Sequence, residues 1–205
     1  MPIIFPQYEW KVDTREKVIY LTFDDGPVPD VTEFVLEQLA AYNAKATFFC
    51  VGHNIEKHPD IFDKVLEGGH SFGNHTYNHL KGHKTDPDEY IANFHLCEEI
   101  IKASVSPEKL GGNKKPLFRP PYGRMQTKQQ QHIGLTHRII MWHVLSADFD
   151  PGLSAEKCFN KTADAAGPGS IVLFHDSIKA EKNMRYALPR FLDMFTEKGY
   201  RFEAL

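Results

Sequence analysis

Two adjacent carboxylates, Asp24 and Asp25, close an apolar run just before Gly26-Pro27. Like charges side by side raise each other's pKa, so burying both is costly unless a cation joins them. The plain alternative is a solvated turn in which Asp25 caps a neighbouring N–H. His75 and His79 stand four residues apart in HTYNH. On a helical turn that spacing puts both rings on one face, within reach of one cation. Two imidazoles and one carboxylate are a recurring catalytic zinc set, which leaves positions open for water and substrate. With eleven histidines in the chain, two surface rings at this spacing by chance are the alternative. Arg119-Pro120-Pro121-Tyr122-Gly123 is stiff, because consecutive prolines fix φ. It can orient Arg119 and offer backbone N–H groups to a ligand, or serve only as a packing loop. Asp148 and His175 complete the set. A histidine facing a carboxylate can act as a general acid, the carboxylate fixing its tautomer and favouring the charged ring. A satisfied core histidine is the alternative.

Each of these residues follows a segment that reads as a strand. Val18, Ile19, Tyr20, Leu21 and Phe23 form a nearly continuous apolar run, the pattern of a parallel strand covered on both faces. Asp30 and Glu33 occupy capping-box positions for the next helix, with Val31, Phe34, Val35 and Leu39 at helical spacing. Further strands are predicted at 46–51, 70–75, 138–144 and 170–176, and within 116–123 a short strand runs into the proline loop. Helices are predicted at 59–69, 154–166 and 185–198. Another runs from Asp86 to near Val105, with Ile91, Phe94, Ile100 and Ile101 facing inward. GGNKK at 111–115 reads as a flexible loop. Strand–helix alternation implies an α/β fold with parallel strands, either a barrel or a doubly wound sheet, whose carboxyl ends converge on one site.

A length of 205 residues makes one domain the default, large enough to bury roughly 70% of its surface. Hydrophobic residues are 41% and charged residues 25%, which excludes a disordered chain, a collagen-like fibre and a coiled coil. Lys and Arg total 24 against 27 Asp and Glu, so no nucleic-acid partner is expected. No run approaches the roughly 20 apolar residues of a membrane span, so no integral membrane segment is expected either. The opening MPIIFPQYEWKVDTREK lacks a basic start and is broken by Pro2 and Pro6, unlike a signal peptide, which points to a cytoplasmic protein. Cys50, Cys97 and Cys158 have no CxxC spacing, against a disulfide framework or a cysteine zinc site.

Six segments together resemble the NodB-homology polysaccharide deacetylases, carbohydrate esterase family four. They are TFDDGP (22–27), ATFFCVG (46–52), GNHTYNH (73–79), RPPYG (119–123), LSADFD (145–150) and IVLFHDS (171–177), in the family's order. The resemblance implies a distorted (β/α) barrel of parallel strands with fewer than eight repeats, its active site at their carboxyl ends. It takes residues 17–205 as one deacetylase domain, with 1–16 as an extension packed on it. It implies metal-dependent removal of N- or O-acetyl groups from an acetylated carbohydrate. Asp24 takes the place of the general base, and Asp25, His75 and His79 those of the metal ligands. Arg119 takes that of the partner orienting Asp24, and His175 that of the general acid, with Asp148 as its carboxylate. Tyr122 would lend a backbone N–H to the oxyanion, and Leu173 would line the acetyl-methyl pocket. Zinc suits the ligand set, and cobalt, nickel or manganese also fit. The family's fourth motif usually places Asp and Trp where this chain has Leu145 and Phe149, which alters the groove wall. Tyr77, Tyr122, Trp142 and Phe149 are candidate sugar contacts. The leading reading is an N-acetylglycan deacetylase. An amidohydrolase on a small amide or cyclic ureide and a non-catalytic carbohydrate-binding module are the alternatives.

Overall fold

The computed structural model describes residues 7–106 and 115–205. Of the loop expected at 111–115, all but Lys115 lies outside the described residues. The strands are β1 (Tyr8–Glu9), β2 (Val18–Asp24), β3 (Ala46–Cys50), β4 (Ser71–Asn74), β5 (Leu117–Phe118), β6 (Arg138–Ile140), β7 (Val144–Leu145), β8 (Ile171–His175) and β9 (Arg201–Phe202). The helices are α1 (Val31–Ala41), α2 (Gly52–Lys57), α3 (Pro59–Glu67), α4 (Pro87–Ser104), α5 (Thr127–Thr136), α6 (Ala155–Ala165) and α7 (Glu181–Glu197). All strand ladders are parallel, in the order β1-β6-β5-β4-β3-β2-β8-β7, with β9 added on β2. None of the described helices is long and apolar enough to cross a membrane.

Side chains alternate across a strand, and this alternation aims the chemistry. Ile19, Leu21 and Phe23 of β2, Phe48 of β3 and Phe174 of β8 pack in one large core with α1 and α7 residues such as Val35, Leu39, Leu188 and Phe191. The intervening Thr22, Asp24, Phe49, Leu173 and His175 therefore point to the opposite, inner face. There Phe49 joins Leu117, Ile140 and Ile171 in a second apolar cluster. Register sets Asp24 beside His175 and Thr22 beside Leu173.

The sheet curls almost to closure. Only Met141, Trp142 and His143 separate β6 from β7, although the two lie toward opposite ends of the strand order. At about 3.5 Å per residue, that linker holds the two edges within about 14 Å. Residues 8–12 occupy the gap: β1 pairs with β6, and Val12 N–H donates to the Gly169 carbonyl at 2.9 Å. The single strand expected at 138–144 is thus two. Arg119 accounts for the break, since its Nε and Nη2 donate to the Ile140 and Met141 carbonyls at 3.1 and 2.7 Å.

Asp86 caps α4 as expected, its side chain accepting from the N–H groups of Asp88 and Glu89. Tyr90, Phe94, Cys97 and Ile101 form the buried face, while Ile91 and Ile100 are only half-buried. Helices α2 and α5 and strand β1 were not foreseen, and α7 starts four residues before its expected position.

Candidate active site

Asp24 ends β2 and is buried at the mouth of the curled sheet. Its Oδ1 accepts from Nη1 of Arg119 at 2.7 Å, and the same nitrogen donates to the Thr22 hydroxyl at 2.8 Å. Arg119 is fully buried, with its guanidinium 4.1 Å from the centre of the Phe49 ring. Three fixed acceptors and one aromatic face leave it a single orientation, and with it Asp24.

Asp25 has φ +86, which turns its side chain away from the path of the strand and toward His75 and His79. A buried aspartate that the motifs had not singled out, Asp176, anchors this turn. Its Oδ1 accepts from Gly26 N–H at 3.0 Å and its Oδ2 from the Thr32 hydroxyl at 2.7 Å. A Cβ on Gly26 would lie 1.9 Å from Asp176 Oδ2, so glycine is required for the approach. Burial pushes the Asp176 carboxyl up to about 8.

His75 and His79 do meet, but not on a helical turn. Residues 75–79 form a loop in which Thr76 and His79 take left-handed φ of +63 and +54. Side chains rather than i−4 carbonyls satisfy the loop's N–H groups, which explains the departure from helix. Asn74 Oδ1 accepts from Thr76 N–H at 2.7 Å, and Asn93 Oδ1 accepts from Tyr77 and Asn78 N–H at 2.9 Å each. His75 Nδ1 lies 2.7 Å from the Arg119 carbonyl, so Nδ1 carries the proton and Nε2 offers its lone pair to the site. Burial holds His75 well below the ordinary imidazole value and also lowers His79, which favours the neutral form that can ligate a metal.

The donor atoms of Asp25, His75 and His79 all lie within 4.8 Å of one another. Asp25 Oδ1 is 3.2 Å from His79 Nε2 and 3.8 Å from His75 Nε2. Tetrahedral ligands at about 2.1 Å from a metal are on the order of 3.4 Å apart, so this donor set fits one divalent cation. Asp24 Oδ2 stands close by, 3.7 Å from His75 Nε2.

Across the mouth, Asp148 accepts twice from His175, from its backbone N–H and from Nδ1, both at 2.8 Å. Burial works against the charged ring. The charge and hydrogen bond of Asp148 outweigh it, with Asp25 and Asp24 adding, and push His175 up to about 9. Asn183 steadies Asp148 by donating to its carbonyl at 3.1 Å.

These groups open into a cleft of about 410 Å³ whose apolar walls are Tyr122, Trp142, Leu145, Phe149 and Leu173. Tyr122 is 52% exposed, with its ring 4.7 Å from that of His79. Phe149 meets His175 edge-on at 5.0 Å. Tyr77 is not part of this wall; its ring packs on His53 and its hydroxyl donates to Glu56. A larger depression of about 520 Å³ between α1 and α3 is lined by residues such as Leu36, Lys45 and His70, away from these groups. Of the residues the sequence had not marked, Asp176 lies within a quoted motif, IVLFHDS, whereas Asn93 on α4 carries no signal.

The family described as polysaccharide deacetylase matches residues 11–136. A peptidoglycan-N-acetylglucosamine deacetylase of Bacillus cereus is 36% identical over 198 residues, covering 94% of this chain and 88% of its own. A chitooligosaccharide deacetylase of Azorhizobium caulinodans is 36% identical over 172 residues, covering 81% of this chain and 77% of its own. Longer relatives are spanned over as little as 37% of their length. The crystal structure of the Bc1960 peptidoglycan N-acetylglucosamine deacetylase, in complex with 4-naphthalen-1-yl-N-oxidanyl-benzamide, superposes with a TM-score of 0.87 at 32% identity. That match covers 97% of this chain and 91% of the other.

Proposed function

The chain belongs to the polysaccharide deacetylase family, and from that premise we propose that it hydrolyses N-acetyl groups of a glycan with a divalent cation held by Asp25, His75 and His79. The observation that carries this reading is a division of labour between two adjacent carboxylates. Asp25 faces the imidazoles, while Asp24 is held by Arg119 and remains free to take a proton. A structural metal site has no use for such a base, nor for a charged histidine on the opposite wall.

A bound divalent cation would polarise the acetyl carbonyl and acidify an adjacent water. Asp24 accepts the proton that this water gives up as it attacks the carbonyl carbon. The backbone N–H of Tyr122 donates to the oxygen on which negative charge develops; losing one such donor typically costs about 10²- to 10³-fold. Leu173 provides an apolar surface for the acetyl methyl. Protonated His175 passes its proton to the departing nitrogen, so that acetate and a free amine leave. Zinc is the first expectation for the metal, with cobalt, nickel and manganese as alternatives for the same donors. The named relatives, acting on peptidoglycan N-acetylglucosamine and on chitooligosaccharide, support an N-acetylated sugar substrate.

The test is acetate release from N-acetylglucosamine oligomers by metal-stripped and zinc-reloaded protein. Release is expected only after reloading. Asp24→Asn should retain the metal while turnover falls about 10²- to 10⁴-fold. Full activity after thorough stripping, or ammonia from small amides with no acetate from any sugar, would overturn the proposal.

A further inference from the structure

Beyond Tyr122 lies a second depression, of about 330 Å³, lined by Lys81, His83, Lys84 and Arg124 together with Tyr122 itself. Tyr122 also lines the candidate active site, so the two depressions adjoin across this residue. The Lys81 ammonium lies 5.1 Å from the centre of the Tyr122 ring, while His79 lies against the same ring. All four basic side chains are exposed. Ion pairs elsewhere occupy residues such as Lys64, Lys128 and Arg201, but among the described residues Lys81, Lys84 and Arg124 have no carboxylate within 4 Å. Asp86, close by in the chain, is turned to the end of α4, where its Oδ1 accepts from two N–H groups. Lys81, Lys84 and Arg124 thus gather three permanent cations without carboxylate partners beside one depression, in a chain of net charge −3.

The cluster is also built rather than incidental. A Cβ on Gly82 would lie 2.8 Å from the Arg124 carbonyl, so the two basic stretches are seated directly on each other. Gln126 and Gln129 tie them down, each donating from Nε2 to the carbonyls of Gly82 and Thr85 at 2.9–3.3 Å. Cations carried on backbone held in this way, and lacking carboxylate partners, favour an anion that arrives with the substrate, and the Arg124 guanidinium is shaped to grip a carboxylate with two parallel bonds.

We propose that this depression is a subsite for a carboxylate carried by the glycan strand beyond the acetylated sugar. The proposal rests on the deacetylase reading and narrows it to acidic N-acetylated glycans over neutral ones. A zinc-loaded enzyme would be compared on three oligomers of equal length: a neutral N-acetylglucosamine oligomer, one whose alternate sugars bear a lactyl carboxylate, and the latter with each carboxyl converted to its methyl amide. We expect kcat/KM about tenfold higher for the carboxylate form than for its methyl amide, through KM, as befits a few exposed ion pairs. Salt at 1 M, where the screening length is about 3 Å, should erase the difference. In Lys84→Gln/Arg124→Gln the ratio should fall to about one, and Lys84→Arg should keep it. Equal kcat/KM for the charged and amidated forms, or an unchanged ratio in the double variant, would overturn it. Absence of acetate from all three oligomers counts against the deacetylase reading instead. The subsite is then judged by calorimetric binding of the same oligomers, where a tenfold gap in Kd supports it and equal Kd values overturn it.

Discussion

In the proposed mechanism, His175 and Asp148 set the pH window in which a proton can be donated. The ring is the donor only while charged, and with Asp148 bonded to Nδ1 it is held up at about 9. Activity is therefore present below that value and lost as pH rises through it. A cation beside Asp25 offsets part of the negative charge that supports His175, so in the loaded enzyme this limb lies below about 9. Asp148→Asn removes the main support and leaves the opposing effect of burial. The basic limb of kcat/KM should then move down by about 1–3 pH units, as read from pH–rate profiles and from an NMR titration of His175. A limb that stays in place would take Asp148 out of this role. The residues of this site were legible where chemistry dictates residue type: paired carboxylates, paired imidazoles, an arginine beside prolines. Asn93 was not, because a neutral amide receiving two loop N–H groups looks in the sequence like any surface asparagine. The left-handed turns at Thr76 and His79 were hidden as well, which is why HTYNH read as a helical turn.

The elements show where an apolar pattern informs and where it misleads. Strands β2, β3 and β8 were legible because burial on both faces gives uninterrupted apolar runs. The run at 138–144 has the same appearance, yet Arg119 takes its middle carbonyls and diverts the chain. Helix α5, TKQQQHIGLT, gave no apolar period because its buried face is Gln129 and Ile133, with Gln129 bonded to loop carbonyls. The turn after β5 is the element on which the cleft wall most depends. Gly123 has φ +64, and a Cβ there would lie 2.5 Å from the Trp142 ring. Gly123→Ala should cost about 2–3 kcal/mol, combining a left-handed alanine with displacement of the indole. Urea unfolding should show a lowered midpoint at unchanged slope. Gly167→Ala, with nothing within 4 Å of the added carbon, should stay within about 0.5 kcal/mol. Equal effects at the two positions would show that the Gly123 turn is not under this constraint.

On the scale of the whole molecule, alternation of strands and helices was readable, but it is common to barrels and doubly wound sheets. What separates them here is the brief passage from β6 to β7, which brings the edges of the curled sheet together around one mouth. Asp24 and His175 end β2 and β8, while His75, Arg119 and Asp148 follow β4, β5 and β7. No single strand builds the site; it exists only when the sheet has curled. A cation on Asp25, His75 and His79 would therefore bind the folded chain alone, joining the end of β2 to the loop after β4. A ligand at 100 times its Kd adds about 2.7 kcal/mol to the folded state. For a chain of this length that corresponds to a rise in Tm of about 5–10 °C. Zinc-loaded protein should melt higher than chelated protein by that amount, and His79→Ala, which lacks one ligand, should show little or none of the difference. Identical melting of loaded and stripped wild-type protein would mean that these three side chains do not hold a metal together, and the division of labour between Asp24 and Asp25 would lose its basis.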